Sequence, residues 1–372
     1  SLSALWGVGT VAATWALARP MGRISALLAG LLAAVSPFQV YYSQEARMYI
    51  LVALLAALAT LALGRVLAAR DAPSLSILAA YAAFSLALVY GHYLGALVLL
   101  SHQFIWLAHW LRPRSGAAHR WRTLLAWVSA QALVVAGYVP WLVASWSALS
   151  HWPAVSSRMA LGGLLSQAMH TLACGVTCER TTLSLALAVG TMVLAATGAL
   201  ARSRESGTRA GESSIRWTLT LAAAVGVPLA AIYLLSLRRP MYKDKFVLMV
   251  SPFYLALVAH GIRSAAAWLA ARWQPWAWRL ATAVLLALPL AAAAPSLQHL
   301  YADPQYARDD YRGLMAYVAA VAQPQDAILI NAPTQIETVG YYYRGPVPLV
   351  PLPLQRPLDV ERTTQQLQTL VA

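Results

Sequence analysis

Residues 48–68, MYILVALLAALATLALGRVLA, decide the fold class of this chain. The stretch carries one charged residue, Arg65, and it has the length of about 20 apolar residues that a helix needs to cross the hydrocarbon core of a bilayer. A run this long, rich in alanine and leucine, is typical of a transmembrane helix and not of a barrel strand. The chain is therefore expected to lie in a membrane.

The composition of the whole chain points the same way. Of its 372 residues, 60% are hydrophobic and 11% are charged, whereas about 25% of the residues of a soluble globular domain are charged. The formal net charge of +14 would suit nucleic acid. However, the basic residues occupy short gaps between apolar runs, and no basic helix interleaves arginine with stacking aromatic residues. We therefore expect membrane lipids, and not nucleic acid, as the anionic partner.

Nine further stretches repeat the pattern of residues 48–68. The ten predicted spans are residues 2–18, 24–40, 48–68, 75–90, 93–111, 123–141, 182–201, 217–237, 246–269 and 276–294. They predict an all-α polytopic membrane domain of about ten spans over residues 1–296.

The arginines and lysines predict the orientation. One set of alternate turns, beginning at residues 19–23, holds fifteen of them and the other set holds seven. Because positive charges concentrate on the cytoplasmic side, the first set is predicted to be cytoplasmic and the second extracytoplasmic. Ser1 then starts outside, so we expect an earlier span to precede it. The seven outside cations are Arg47, Arg158, Arg180, Arg238, Arg239, Lys243 and Lys245.

The composition changes after residue 296. Five charged residues fall within 303–312 and the long apolar runs stop, which predicts a small extracytoplasmic α/β domain over residues 297–372, cut off at its end. Asp309 is expected to cap its first helix. The predicted elements are a helix from Asp309 to Ala322, a strand at 327–331, a helix at 334–343 and a strand at 346–350.

Three of the outside turns are rich in polar residues. The first, SPFQVYYSQEARMY at 36–49, contains Pro37, whose ring blocks a backbone hydrogen bond and ends or kinks a helix. The second, YGHY at 90–93, is so short that His92 stays near the membrane surface. The third, RRPMYKDK at 238–245, holds both lysines of the chain. Cations on the extracytoplasmic side, where the positive-inside rule disfavours them, indicate a functional role.

Together these turns offer a carboxylate, an imidazole, phenols and cations. Transfer of a sugar from a lipid phosphate needs such groups, because cations stabilise the charge that develops on the leaving phosphate and a carboxylate base activates the acceptor hydroxyl. The structural alternatives are cations that snorkel to the interface, a plain salt bridge between Glu45 and Arg47, and a histidine with no catalytic part.

Three pieces of sequence resemble the bacterial branch of the protein O-mannosyltransferase and aminoarabinose transferase superfamily. They are residues 36–49, of which SQEARMY is the most specific part, the GHY turn at 91–93, and KFVLMVSP at 245–252. The resemblance extends over nearly the whole chain and implies a membrane glycosyltransferase of the GT-C type. It implies that an N-terminal span and the first extracytoplasmic loop, which carries the acidic catalytic base in such families, come before this chain.

One departure from that family concerns the third turn. Lys245-Phe246 stands where relatives have Arg-Tyr, so the charge is kept while the guanidinium fork and the phenol are lost. Phosphate binding would then be looser, or Arg239 would take it over.

The predicted function is an inverting single displacement at the extracytoplasmic face of a bacterial inner membrane. It moves a sugar from a polyprenyl-phosphate donor to a lipid, glycan or protein acceptor. Glu45 has a supporting catalytic part. The residues predicted to bind the lipid phosphate or donor are Arg47, Tyr49, His92, Tyr93, Arg238, Arg239, Tyr242, Lys243 and Lys245. The alternatives are a lipid or solute transporter or flippase, and a non-catalytic membrane assembly subunit. Transporters usually contain repeated halves, and the sequence has no internal repeat that would favour one.

No cofactor is expected. The sequence has no glycine-rich phosphate loop before a helix, and therefore no nucleotide-sugar site. A divalent metal is possible but unsupported, since Glu45, Glu179 and Asp244 are scattered over three loops. Cys174 and Cys178 are predicted to lack the histidine or cysteine partners of a zinc site, which leaves a local disulfide or two free thiols.

The long turn at residues 142–180 contains Trp146 and Trp152. It is expected either to lie on the interface and cover the site or to act as an aromatic anchor. His170 and Trp152 are weaker candidates for contacts with the acceptor.

Overall fold

The computed structural model describes residues 2–69, 72–111, 117–150, 157–201, 209–272, 274, 276–307, 309–331, 333–353 and 358–371. The chain divides into two compact units, Ser1–Gln305 and Tyr306–Ala372. The helices of the first unit are α1 Leu2–Ala18, α2 Arg23–Val35, α3 Pro37–Ser43, α4 Tyr49–Ala68, α5 Leu75–Gly91, α6 Ala96–Trp110, α7 Ala117–Ser150, α8 Leu161–Cys174, α9 Thr182–Leu200, α10 Arg209–Arg238, α11 Asp244–Val247, α12 Ser251–Ala270 and α13 Ala277–Ala302.

Every predicted span contains a helix, and the chain is a multi-pass membrane protein. Among the described residues, six helical stretches are long and apolar enough to cross a membrane, or seven if one bent pair is a single span. This is fewer than the ten predicted, because α1, α5 and α6 have only 17, 17 and 15 residues. The six stretches are Tyr49–Ala68, Arg120–Ser147, Thr182–Leu200, Ser214–Arg238, Asp244–Ala270 and Ala277–Ala302.

The bent pair is α2 and α3, whose axes differ by 54°. Ser36 between them is extended, with φ −64° and ψ 114°, as expected for a residue before proline. Its hydroxyl accepts a hydrogen bond from the Gln39 N–H at 3.5 Å, and Pro37 starts the new helix. The second predicted span is therefore broken, and α3 turns the chain toward the polar residues that follow it.

Helix α12 lies at the centre of the first unit and packs closely against α9. Gly198 of α9 and Gly261 of α12 face each other so closely that a side chain at either would overlap backbone. A Cβ at Gly198 would meet the Leu257 carbonyl oxygen, and one at Gly261 would meet the Leu194 carbonyl oxygen. These two glycines allow the backbones of α9 and α12 to come into direct contact.

Buried polar side chains join α4, α5, α6 and α7. The imidazole of His102 lies 3.0 Å from the Thr60 hydroxyl and 3.3 Å from the Tyr81 hydroxyl, and Gln131 Nε2 donates to that same Tyr81 oxygen at 3.4 Å. Thr60, Tyr81 and His102 are fully buried. Because these groups satisfy one another, they stabilise the packing of the four helices in a setting where an unsatisfied polar group is costly.

The turn predicted at 142–180 is largely helical. Helix α7 continues to Ser150, and α8 occupies Leu161–Cys174, where a loop was expected. The packing of α8 is against α9 and α13, so it belongs to the first unit as a structural helix. Trp152 lies outside the described residues.

The second unit contains α14 Tyr311–Val321, β1 Ile328–Ile330, α15 Ile336–Tyr342, β2 Leu349–Pro351 and α16 Val360–Val371. The two strands pair in parallel, with Ile328 opposite Leu349. The prediction of Asp309 as the cap is wrong, because Asp310 accepts the capping hydrogen bond from the Gly313 N–H at 2.9 Å. The apolar core of the second unit consists of Met315, Ile330, Val339, Tyr343 and Val347.

Candidate functional site

The three polar turns meet at one end of the first unit, and their side chains form a cluster of rings around one ammonium group. The aromatic cluster consists of Tyr49, His92, Tyr93, Lys245 and Phe246. The His92 ring lies 5.9 Å from the Tyr49 ring, 4.6 Å from Tyr93 and 5.2 Å from Phe246, between ring centres. The Lys245 Nζ lies 5.1 Å from the centre of the Tyr49 ring and 5.8 Å from that of Phe246. A cation over aromatic faces at these distances is held electrostatically.

His92 owes its position to the tight turn between α5 and the 3-10 helix Tyr93–Gly95. Its backbone is extended, with φ −162° and ψ 129°, and its Nδ1 accepts a hydrogen bond from the Leu94 N–H at 3.1 Å. The proton of the neutral ring is therefore on Nε2. Burial, and then the neighbouring Lys245 ammonium, lowers the pKa of His92 to about 4. At neutral pH the imidazole is an uncharged hydrogen-bond donor.

All members of the aromatic cluster except Tyr93 line a cavity of about 10 Å³, together with Val52, Leu94 and Met249. This volume is at most about that of a single water position. A sugar does not fit inside it. A phosphate or sugar that uses the Lys245 charge has to lie at the mouth of the cluster.

A second set of polar side chains connects the turn 238–245 to α8 by hydrogen bonds. The Asp244 network consists of Asp244, Tyr242, Gln167 and Thr171. The Asp244 carboxylate accepts hydrogen bonds from the Tyr242 hydroxyl at 3.1 Å, from the Thr171 hydroxyl at 3.0 Å and from Gln167 Nε2 at 3.1 Å. Tyr242 is buried, and burial together with Asp244 raises the pKa of its phenol. The phenol therefore stays protonated and keeps donating.

Arg180, in the segment that follows α8, extends the Asp244 network through Gln167. Its Nη1 donates to Gln167 Oε1 and its Nη2 donates to Ser166 Oγ at 2.7 Å. Gln167 thus connects an exposed guanidinium to a half-buried carboxylate. An anion that binds here would meet Arg180 first.

The remaining predicted residues differ in how far they are exposed. Arg47, Arg238 and Lys243 are exposed. Arg239 is half-buried and close enough to Tyr93 to act on its phenol electrostatically. Glu45 is half-buried in the bend after α3. In that bend, Gln44 Nε2 donates to the Tyr301 hydroxyl at 3.0 Å.

Sequence reasoning missed the part that α8 plays. Gln167 lies three residues before His170 and four before Thr171, and Cys174 lies four after His170 and three after Thr171, which is the spacing of one helix face. This polar stripe was the signal that could have found the Asp244 network. It was hidden because α8 falls in a segment whose composition suggested a loop.

The prediction that the cysteines lack metal-binding partners is wrong. One imidazole nitrogen of His170 and the sulfur atoms of Cys174 and Cys178 all lie within 4.8 Å of one another. His170 and Cys174 are one helical turn apart on α8. Cys178 reaches them because the chain reverses at Gly175, whose φ of 86° favours glycine.

Comparisons with known proteins bear on the fold. No family model and no curated protein matches the chain. Among solved structures, the chain is similar to ArnT from Cupriavidus metallidurans in the apo state, with 14% sequence identity and a TM-score of 0.54 over 99% of this chain and 73% of that one. The chain shares its fold with ArnT. The likeness supports the predicted polytopic, helical membrane fold.

Proposed function

We propose that this protein transfers a sugar from a polyprenyl-phosphate donor to an acceptor at the extracytoplasmic face of a bacterial inner membrane, by inverting single displacement. The observation that carries the proposal is the convergence of Tyr49, His92 and Lys245, from three separate turns, on one point at the end of the helical unit. The fold shared with ArnT supports this type of chemistry.

The site lies where a lipid phosphate would present itself. The turns that supply it belong to the set with fewer positive charges, and the arginine-rich turns lie at the opposite ends of the helices. A donor anchored by its tail between helices brings its phosphate to headgroup level. Lys245 and Arg239, both half-buried, are the cations best placed to meet it.

The reaction is a substitution at the anomeric carbon, in which one bond forms and one breaks. An oxygen of the acceptor attacks the anomeric carbon of the sugar, and the bond from that carbon to the phosphate oxygen breaks. The electron pair stays on the phosphate, which leaves as polyprenyl phosphate, and the acceptor proton passes to a carboxylate base. Lys245 and Arg239 stabilise the growing phosphate charge, and the His92 Nε2–H donates a hydrogen bond to it.

The outer cations have a different part. Arg47, Arg238 and Lys243 are exposed and stand around the cluster on the same turns, so they attract the anionic donor and hold its headgroup at its rim. Glu45 orients Arg47 or the sugar. Tyr93 and Tyr242 complete the donor-binding surface, Tyr242 by holding the turn through Asp244.

A transfer assay with matched variants tests the proposal. Full-length protein in detergent is given a radiolabelled undecaprenyl-phosphate sugar and membrane extract, and transfer to any acceptor is counted. Lys245→Ala is expected to lower the rate by about a hundredfold or more, which corresponds to about 2.7 kcal/mol of barrier. Arg272→Ala is the control, because Arg272 is an equally charged residue at the opposite ends of the helices, stacked on Trp268.

Three results would contradict the proposal. Equal rates for wild type and Lys245→Ala would remove the cluster from the reaction. If the wild type moved labelled lipid between leaflets of proteoliposomes without cleaving the sugar, the protein would be a flippase. If Glu45→Ala and Arg47→Ala left all function of the membrane complex intact, a non-catalytic assembly part would be favoured.

A further inference from the structure

We propose that His170, Cys174 and Cys178 bind a divalent thiophilic cation, zinc(II) first of all. The proposal is independent of sugar transfer, since none of the three residues belongs to the aromatic cluster. It starts from an arrangement that three separate features of the chain produce together: a helix face, a glycine turn and a short return segment.

The distances suit a metal. In a tetrahedral zinc site with Zn–S bonds of about 2.3 Å, neighbouring ligand atoms lie about 3.7 Å apart. The three donor atoms lie within 4.8 Å of one another without any metal. A closure of about 1 Å by side-chain rotation therefore suffices. Three protein ligands leave one tetrahedral position for water or another donor.

The hydrogen bonds around His170 set its tautomer. The Ser184 hydroxyl donates to the Glu179 carbonyl at 2.9 Å and accepts from the Thr181 N–H at 3.0 Å. With its proton used, it meets His170 Nε2 at 3.1 Å as an acceptor. Nε2 therefore carries the ring proton, and Nδ1 keeps the lone pair that a metal needs. A metal-binding histidine with its second nitrogen held by such a partner is the usual arrangement.

The charge balance selects the cation. His170 and Cys174 are buried, with 2% and 0% of their surface exposed. Two thiolates and a neutral imidazole carry two negative charges, which a divalent ion cancels. A neutral site is the one that a buried position tolerates best. Soft thiolate ligands favour zinc over magnesium or calcium, which prefer oxygen.

Binding exchanges protons for metal. A thiol gives up its proton when it becomes a metal ligand. When zinc binds, two S–H bonds break, two Zn–S bonds form, and two protons leave to solvent. Metal affinity is therefore expected to rise with pH.

The site would fasten the corner between α8 and α9. Arg180 follows Cys178 by two residues, and α8 carries Gln167 and Thr171, which hold Asp244. A metal across Cys174 and Cys178 would fix the reversal at Gly175, and with it the base of Arg180.

Cobalt(II) binding tests the proposal directly. Full-length protein in detergent is reduced with a phosphine, stripped with a chelator and titrated with cobalt(II) chloride. The expected result is one cobalt per chain, with thiolate-to-cobalt charge-transfer absorption that zinc(II) displaces. Cys174→Ser and Cys178→Ser should each abolish the absorption, and since the chain has 2 cysteines, the double variant gives a clean baseline.

Further variants separate binding from folding. His170→Gln should weaken cobalt by about a hundredfold or more, and Ser184→Ala by about tenfold, the size expected when a ligand's hydrogen-bond partner is lost. His299→Gln is the matched control, because His299 contacts the Thr177 carbonyl beside the cluster at 2.8 Å but is not one of its members. Size-exclusion profiles show whether each variant is folded. Zinc should also protect the half-buried Cys178 from alkylation in wild type.

Three outcomes would overturn the proposal. The first is reduced wild type that shows no charge-transfer absorption. The second is absorption that survives in the double cysteine variant. The third is a chain whose thiols react only after reduction and which then binds no cobalt, because the pair would then be a disulfide.

Discussion

The ammonium group of Lys245 lies 5.1 Å from the centre of the Tyr49 ring, although the two residues belong to different turns of the chain. Tyr49 is buried and begins α4, whereas Lys245 is half-buried in α11. The contact therefore fixes the turn 238–245 against the start of α4. The ring also holds the ammonium in one direction.

Removing the ring should weaken donor binding. Tyr49→Leu keeps the apolar bulk but loses the face under Lys245, and a cation–π contact is worth about 0.5–2 kcal/mol. Donor affinity is expected to fall by about twofold to thirtyfold. Tyr49→Phe keeps the ring and serves as the control, with affinity close to wild type. Binding of a fluorescent polyprenyl phosphate measures both variants, and equal affinities for Leu and Phe would show that the ring has no part.

His92 gives stability a specific pH dependence. Its ordinary pKa of 6.5 in the unfolded chain becomes about 4 in the fold, so between these values the unfolded chain binds a proton that the folded chain does not. The free energy of unfolding therefore falls as the pH falls from 6.5 toward 4.

His92→Gln isolates this effect. The melting temperature of wild type should fall more steeply than that of His92→Gln as the pH is lowered from about 7 to about 5. The rate of sugar transfer, in contrast, should show no His92 titration near neutral pH, because the ring is already neutral there. Parallel melting curves for the two proteins would contradict the lowered pKa.

Asp244 should matter more than its exposure suggests. Its carboxylate accepts from three side chains, and a hydrogen bond to a charged group contributes about 1.5–3 kcal/mol. Thr171 and Tyr242 both donate to Oδ1, so Asp244→Asn removes the negative charge that they share and places an amide NH2 at the Oδ2 position, where Gln167 Nε2 now donates at 3.3 Å. We expect a lower melting temperature and a faster proteolytic cut in the turn 238–245. Gln167→Ala removes one donor and leaves the carboxylate in place, and it should have the smaller effect.

The crossing of α9 and α12 should tolerate no side chain. Gly261→Ala would place a Cβ against the Leu194 carbonyl oxygen, so the helices would have to separate and the yield of folded protein should fall sharply. Gly226→Ala, in α10, is the matched control, because nothing lies within 4 Å of its Cβ position. That change should be neutral or stabilising by up to about 1 kcal/mol. A folded, stable Gly261→Ala protein would contradict the close crossing.

The positions of the long helices could be predicted because burial in lipid leaves a signal in each stretch by itself. α4 begins at Tyr49 and ends at Ala68, one residue from the predicted start. The break at Ser36 was predicted only in part. Pro37 predicts that a helix ends there, but it does not predict that another helix starts at once. The strand predicted at 346–350 starts three residues before β2 and ends one residue before it, because prolines surround β2 and it is short.

The site was harder to predict than the fold. The three turns could be singled out because their polar residues contrast with apolar flanks. Their contacts depend on how α4, α5 and α10 pack, which no local pattern encodes. The Asp244 network was missed because its two halves, α8 and the turn 238–245, are far apart in sequence. The sequence did not show His170 as a neighbour of Cys174 and Cys178, because the two positions 170 and 174 share a face only when α8 is recognised as a helix.

The glycine crossing described above has a consequence for motion. The two backbones in contact at Gly198 and Gly261 leave no room for a side chain between them, so we expect α9 and α12 to move together as one body. α9 begins just after Arg180, and α12 follows shortly after Lys245. The bases of these two cations are therefore preorganised: the distance between them is set when the helices assemble, before any anion arrives, and a ligand has to match that spacing.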